Sequence, residues 1–259
     1  MKVKDIFEFI DDFAPFTSQE EFDNSGMLLG NMDASVSKIL FTLDVSIEGI
    51  DYAINKNCDL IVSHHPLIFE PLKQIDTSNE RGQILANIIK NDISVISAHT
   101  NLDKAKRGVN FILAELVGLT EKEVLVKDST HDGMGFGMVG NIDEVETMEY
   151  IKALKEKLNL PTVRIYNAKG KIKRLAVVGG SGASFLDDAK NAGADLLITG
   201  DLKYHDAQYA KEIGITVADF GHFYTEYKGF KYLIEELKEK FSNIEIEEFY
   251  KPYTDLGVL

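Results

Sequence analysis

The sequence predicts an α/β protein built from two similar α/β lobes with mainly parallel sheets. Three observations lead to this fold class. Short aliphatic runs alternate with amphipathic stretches, one strand–helix–strand pattern occurs twice, and both copies continue into another aliphatic run. Strands that alternate with helices favour a parallel sheet with right-handed crossovers.

The repeat is a match without gaps. Residues 38–65 (KILFTLDVSIEGIDYAINKNCDLIVSHH) align with residues 174–201 (RLAVVGGSGASFLDDAKNAGADLLITGD), at an offset of 136. Each copy reads as a buried strand, a helix and a second buried strand. A further strand is expected at 93–97 and again at 215–219, at an offset of 122. Two unrelated units of this kind also look alike, but the unbroken alignment favours a duplication.

The lobes are assigned to residues 1–126 and 127–259. The boundary is placed at the glycine-rich segment 127–140. Apolar stripes predict helices near 3–13, 145–158 and 227–241, and an alternating strand follows at 244–247. The C-terminal helix and strand are candidates for packing back on the first lobe.

Composition excludes several classes of function. The net charge of −14 opposes non-specific binding to DNA, RNA or anionic membranes. The single cysteine, Cys58, cannot form an internal disulfide, which is typical of a reducing compartment. No apolar run approaches the roughly 18 to 20 residues that span a bilayer. We therefore expect a soluble cytoplasmic protein with no nucleic-acid or membrane partner.

Polar side chains cluster where the predicted strands end, the edge at which parallel α/β sheets bind ligands. Five of the six histidines are at such positions, each beside a carboxylate or a second histidine. The strand-end groups are His64 with His65, His99 with Asp103, Asp201 with His205, and His222 with Glu226.

Imidazole and carboxylate without a thiolate are typical of a catalytic site for Zn, Fe, Mn, Co or Ni. His222 and Glu226 are four residues apart and share a face if a helix begins there. His64 and His65 are adjacent, so in an extended chain they point in opposite directions, which suits one imidazole on each of two metals. Asp103 and Glu226 are candidates to bridge them. We predict two divalent ions per chain in a cleft between the lobes, bound by His64, His65, Asp103, His222 and Glu226.

Other strand-end residues leave alternatives open. His99 is a metal ligand or orients one. Asp201 and His205 contact substrate or orient a ligand, whereas His131 has no assigned role. For Asp44 and Asp219, helix capping and catalysis are not separated. The segment 179–184 (GGSGAS) is a weak candidate for a phosphate cradle, the alternative being a tight turn.

Five sequence blocks resemble the Nif-three-like family, also known as the GTP cyclohydrolase 1 type 2, dinuclear-metal family. They are 23–30 (DNSGMLLG), 63–69 (SHHPLIF), 98–103 (AHTNLD), 199–205 (TGDLKYH) and 221–226 (GHFYTE). The resemblance implies two α/β lobes, two metal ions on the same five ligands, and a toroidal homohexamer with its sites facing an internal cavity. Phe22 stands where the family usually has Trp, and Phe111 where Asp is common. The short segment between the lobes resembles the compact form, which lacks an inserted domain.

The resemblance also implies an activity. A metal-activated water would open the imidazole ring of the guanine in GTP. Candidates for the proton transfer are His205, Asp201 and His99, and candidates for holding the triphosphate are Lys73, Arg107 and Lys203. Two alternatives stay open: a dimetal phosphoesterase or amidohydrolase on another substrate, and a metal-binding scaffold or regulatory protein without turnover.

Overall fold

Two β-sheets, each covered by helices, make up the computed structural model, which describes residues 1–252. The predicted α/β fold with mainly parallel sheets is confirmed. The chain divides into two units: unit 1 contains residues 1–102 and 230–252, and unit 2 contains residues 103–229.

The helices are α1 (Val3–Phe13), α2 (Ile47–Asn55), α3 (Glu80–Lys90), α4 (Thr100–Lys104), α5 (Val109–Val117), α6 (Thr147–Leu158), α7 (Leu186–Asn191), α8 (Tyr204–Ile213) and α9 (His222–Lys240). The strands are β1 (Gly26–Leu29), β2 (Lys38–Thr42), β3 (Leu60–Ser63), β4 (Ser94–Ser97), β5 (Thr120–Lys127), β6 (Gly135–Glu146), β7 (Arg164–Tyr166), β8 (Lys171–Ser181), β9 (Leu196–Gly200), β10 (Thr216–Asp219) and β11 (Glu245–Glu248).

The sheet of unit 1 has the order β1-β4-β3-β2-β11. Strands β4, β3, β2 and β11 are parallel, and β1 is antiparallel at the edge. Strands β3 and β4 are buried along their whole length, as expected for aliphatic strands covered on both faces. On one face, Leu40, Ile61 and Val95 pack with Ile50 of α2 and Ile88 of α3.

The sheet of unit 2 has the order β5-β6-β8-β9-β10-β7. Strands β8, β9 and β10 are parallel. Strand β6 pairs antiparallel with both β8 and β5, and β7 pairs antiparallel with β10. Side chains of β8 alternate between two cores: Leu175 and Val177 pack on the side of α5 and α6, while Ala176 and Val178 pack on the side of α7.

The two copies of the repeat have the same strand register. Ile39 pairs with Leu60 in unit 1, and Leu175 pairs with Leu196 in unit 2, so both partners shift by the offset of 136. The next strand agrees as well: Leu60 pairs with Ser94, and Leu196 pairs with Thr216. Residues that align in the sequence therefore occupy equivalent positions in the strand pairings of the two sheets.

The division of the chain differs from the lobe boundary placed at 126/127. Segment 127–140 contains the end of β5, a turn and the start of β6, which form an antiparallel hairpin within unit 2. Residues 103–126 belong to unit 2 because Leu113, Ala114 and Val117 of α5 lie in its core. The C-terminal strand β11 pairs with β2 in unit 1. None of the helices within residues 1–252 combines the length and the apolar character that a membrane span requires.

Candidate metal centre

Three histidines converge at one edge of the sheet in unit 1. His64 and His65 follow β3, and His99 follows β4; these neighbouring parallel strands end at the same level, where Ser63 pairs with Ser97. One ring nitrogen of each histidine lies within 4.8 Å of those of the other two. The three imidazoles form a group that can hold a metal ion.

The prediction that His64 and His65 point in opposite directions is wrong. Their ring centroids are 5.1 Å apart, and their nitrogens belong to the same group. The alternation of a strand no longer applies, because β3 ends at Ser63 and the chain bends there. The Ser63 hydroxyl donates to the carbonyl of His65, at 2.9 Å. The assignment of one imidazole to each of two metals stays a prediction.

Hydrogen bonds fix the orientation of these two rings. Nδ1 of His64 lies 2.7 Å from the carbonyl oxygen of Ala98, and Nδ1 of His65 lies 2.7 Å from Oδ1 of Asp44. Carbonyl and carboxylate oxygens only accept, so each Nδ1 carries a proton, and in the neutral ring the lone pair is then on Nε2. Metal-binding histidines are typically held in this way. Asp44, whose role the sequence left open, thus orients His65.

The third histidine is oriented by Asp23. Nδ1 of His99 lies 2.8 Å from Oδ1 of Asp23, whose buried carboxylate also accepts from the backbone and hydroxyl of Thr100 and from the Ser25 hydroxyl. Burial by itself raises the pKa of Asp23, but the bonds from His99 and Thr100 outweigh it and hold that pKa well below its usual range. The sequence indicated Asp23 only as part of a motif; the signal for its role is an acid just before β1.

In unit 2, a histidine and a glutamate share the first turn of α9. The helix begins at His222, directly after Gly221, whose φ of 86° favours glycine. Residues four apart lie on one helix face, and Nε2 of His222 is 3.0 Å from Oε1 of Glu226. Glu226 is buried, and Nδ1 of His222 lies 2.7 Å from Oδ2 of Asp201 at the end of β9. Asp201 therefore orients His222 as Asp44 orients His65.

Two glycines leave space for this pair. Gly180 has a φ of 64°; a Cβ there would overlap Oε1 of Glu226 and lie 3.3 Å from Nε2 of His222. A Cβ on Gly200 would lie 2.6 Å from the backbone nitrogen of His222. Only a residue without a side chain fits at either position.

The glycine-rich segment 179–184 does not offer a cradle of backbone N–H groups. The nitrogens of Gly179, Gly180 and Gly182 donate to the side chains of Asn110, Thr225 and Thr199, respectively. These donors are already used within the protein, so the structure favours the tight turn over the phosphate cradle.

The remaining predicted site residues differ in burial. Asp103 is buried in α4, and its carbonyl accepts from the amide of Asn110 at 3.0 Å. His205 is exposed on α8, with its ring centroid 5.3 Å from that of Tyr204. His131 lies in a turn beside Asp128. The roles of Asp103 as a ligand and of His205 as a proton carrier stay predictions.

The chain is similar to known proteins over nearly its whole length. The family profile for Duf34/NIF3 (NGG1p interacting factor 3) matches residues 1–254. A Clostridium perfringens relative named GTP cyclohydrolase 1 type 2 homolog is 38% identical over 242 residues, which is 93% of this chain and 92% of the relative. A Helicobacter pylori relative named GTP cyclohydrolase 1 type 2 is 35% identical over 255 residues, covering 96% of this chain and 97% of the relative.

Solved structures agree with this assignment. A Staphylococcus aureus protein superimposes with a TM-score of 0.91 at 29% identity, covering 100% of this chain and 99% of that chain. Reduced HcgD from Methanocaldococcus jannaschii superimposes with a TM-score of 0.83 at 32% identity, covering 96% of this chain and 97% of that chain. The matched relatives and the family profile span nearly the whole sequence, and the chain belongs to the Duf34/NIF3 family.

Proposed function

We propose that this protein is a metal-dependent hydrolase of the GTP cyclohydrolase 1 type 2 kind, with two divalent ions bound by His64, His65, Asp103, His222 and Glu226. The observation that carries the proposal is the common orientation of the strand-end histidines. The Nδ1 atoms of His64, His65 and His222 each meet an oxygen acceptor, which leaves Nε2 as the nitrogen that each ring can offer to a metal. At His222 a bound ion would take the place of the proton between Nε2 and Oε1 of Glu226, which are 3.0 Å apart.

The donor set fits a divalent transition metal. It combines neutral imidazoles with buried carboxylates, and the one cysteine of the chain, Cys58, lies in the core of unit 1 on the side of α2 and α3. Such sites favour Zn, Fe, Mn, Co or Ni over Mg or Ca. His99, whose Nδ1 meets Asp23, supplies a further imidazole beside His64 and His65.

Bound ions of this kind supply Lewis-acid activation of water and of the substrate. The residues of the chain hold and orient the donors. Asp44 and Asp201 accept from the Nδ1 atoms of His65 and His222, which fixes each ring and leaves Nε2 as the nitrogen available to a metal. This contact favours Asp201 as an orienting residue. His205, exposed on α8, and His99 then stand as the candidates for moving a proton.

GTP is proposed as the substrate because relatives carry the name GTP cyclohydrolase 1 type 2. The reaction would open the imidazole ring of guanine by addition of water. The same proposal includes a homohexamer located in the cytoplasm. Light scattering would give the molar mass, and so the number of chains in the assembly. The competing hypothesis is a metal-binding scaffold without turnover, and a phosphoesterase or amidohydrolase is the second alternative.

A metal panel tests the activity. The protein is loaded separately with Mn, Fe, Zn, Co and Mg and incubated with GTP, other nucleotides, phosphoesters and amides, and products are followed by mass spectrometry. We expect GTP turnover with at least one metal and its loss in Glu226→Gln. Glu149→Gln, an exposed helical position in unit 2, is the matched control. Absence of GTP turnover with every metal contradicts the cyclohydrolase proposal, and bound metal without any product supports the scaffold.

The ligand set is tested by metal analysis. We expect about two ions per chain, with a large decrease in the double variant His64→Ala, His65→Ala. His131→Ala serves as the control, since His131 lies in a turn beside Asp128. An unchanged metal content in the double variant rules out these two residues as ligands.

A further inference from the structure

A groove in unit 2 differs in chemistry from the rest of the protein. It lies between β7 and α8 and has a volume of about 640 Å³, a size suited to a small molecule. The residues that give it polar and aromatic character are Arg164, Tyr166, Asn167, Tyr204, Gln208 and Lys211.

The charged side chains of this groove are cationic. Arg164 and Lys211 line it, and among its lining residues in the described part of the chain there is no Asp or Glu. The protein as a whole has 42 acidic and 28 basic residues and a net charge of −14. A local cationic lining in an acidic protein attracts anions that the rest of the surface repels.

Arg164 is held in place from the protein interior. Its Nη2 lies 2.5 Å from Oδ2 of Asp219, a carboxylate only 1% exposed, whereas the Arg164 side chain is 53% exposed. Asp219 is fixed in turn, because it accepts from the backbone nitrogens of Leu202 and Gly221. The groove therefore presents the guanidinium and not its carboxylate partner. A donor that is already oriented loses little conformational entropy when it binds an anion.

Aromatic and amide groups occupy both sides of the groove. Tyr204, Gln208 and Lys211 recur at the spacing of one helix face on α8, and Tyr166 is in β7. Tyr204 is 80% exposed, so its ring face is accessible. Planar rings stack on such tyrosines regardless of their exact identity. The side-chain amide of Gln208 adds a hydrogen-bonding group to the lining, and the amide nitrogen of Asn167 is fixed by its bond to the carbonyl of Ile215, at 3.0 Å.

We propose that this groove is a binding site for a small planar aromatic ligand that carries a phosphate or another anionic group. The ring stacks on Tyr204 and contacts Tyr166, and the anion binds Arg164 and Lys211. This inference is independent of the proposed function, because it requires neither a metal ion nor turnover.

Isothermal titration of the full chain with three probes tests the site. The probes are GMP, which has both ring and phosphate, guanosine, which lacks the phosphate, and inorganic phosphate, which lacks the ring. We expect GMP to bind at least about tenfold more tightly than either part, with the same affinity in the presence of EDTA. The affinity for guanosine measures the contribution of ring stacking, and the affinity for inorganic phosphate measures that of anion binding.

Variants assign the binding to the groove. Tyr204→Ala and Lys211→Ala should each weaken GMP binding at least about fivefold. Lys152→Ala, an exposed lysine of α6, is the matched control and should bind GMP as the unsubstituted protein does. Thermal unfolding of each variant checks that the fold is retained.

Three outcomes overturn the proposal. The first is no GMP binding at millimolar concentration, and the second is binding that disappears with EDTA. The third is a change in oligomeric state for Tyr204→Ala, measured by light scattering, with unchanged GMP affinity; the groove would then be a contact with a second copy of the chain.

Discussion

The backbone of Gly180 lies directly against the carboxylate of Glu226. A Cβ on residue 180 would overlap Oε1 of Glu226, and the φ of 64° at this position is itself unfavourable for other residues. Glu226 is buried, so its carboxylate has little room to move aside. The strand β8 and the helix α9 are thus as close as a residue without a side chain allows.

Gly180→Ala should weaken metal binding by about tenfold or more, because the new methyl group displaces the Glu226 carboxylate. Competition with a chromophoric chelator measures the affinity. Gly170→Ala is the control, since a Cβ there would meet no heavy atom within 4 Å in the described structure. Equal affinities of the two variants would show that the position of Glu226 does not matter for the metal.

Asp201→Ala should lower metal affinity by about 10- to 100-fold, because Nδ1 of His222 loses its acceptor. Asp201→Asn retains an acceptor oxygen and should recover much of the loss. The same chelator competition measures both, with Asp143→Ala at an exposed site as the control. If Asn and Ala at position 201 behave alike, orientation of His222 is not the role of Asp201.

The buried ion pair between Lys104 and Asp128 should make the free energy of unfolding decrease at acid pH. Burial raises the pKa of Asp128, but hydrogen bonds from Lys104 and from Thr130 outweigh it and hold the pKa well below its usual range. A lowered pKa in the folded state means that the ionised carboxylate stabilises the fold above the unfolded-state pKa of about 3.9, and that this contribution is lost as the pH falls below it.

Asp128→Asn should therefore decrease the free energy of unfolding by about 2 kcal/mol at pH 7. The difference from the unsubstituted protein should shrink as the pH falls below about 4. Urea unfolding at pH 7, 5, 4 and 3 measures it, with the exposed Asp132→Asn as the control. A difference that is independent of pH would contradict an ionised Asp128.

Cys58 should react slowly with thiol reagents in the folded protein. It is 4% exposed, and burial raises the pKa of its thiol to about 11, so only about 0.1% is thiolate at pH 8. Ellman's reagent at pH 8 should modify the folded chain at least about 100-fold more slowly than the chain in guanidinium chloride. As the chain has one cysteine, the rate reports this site alone; equal rates would disprove its protection.

The parallel strands were predictable because their residues are aliphatic and recur at a fixed offset, as Leu60 and Leu196 do. The antiparallel edge strands β1 and β7 were not predictable. They have only four and three residues, which is too few for an alternating apolar pattern to show in the sequence. The spacing of His222 and Glu226 indicated a shared helix face. The convergence of His64 and His65 was missed because it depends on where β3 stops.

The common register of the repeat has a consequence for how donor atoms are distributed. The offset of 136 makes His65 equivalent to Asp201, and His64 equivalent to Gly200. One copy thus carries an imidazole where the other carries the carboxylate that orients an imidazole, and the backbone of His222 leaves no room for a side chain at residue 200. Backbone hydrogen bonds between strands set the spacing of the strand ends. The side chains at these ends can therefore differ between the two copies while the strands themselves keep the same arrangement.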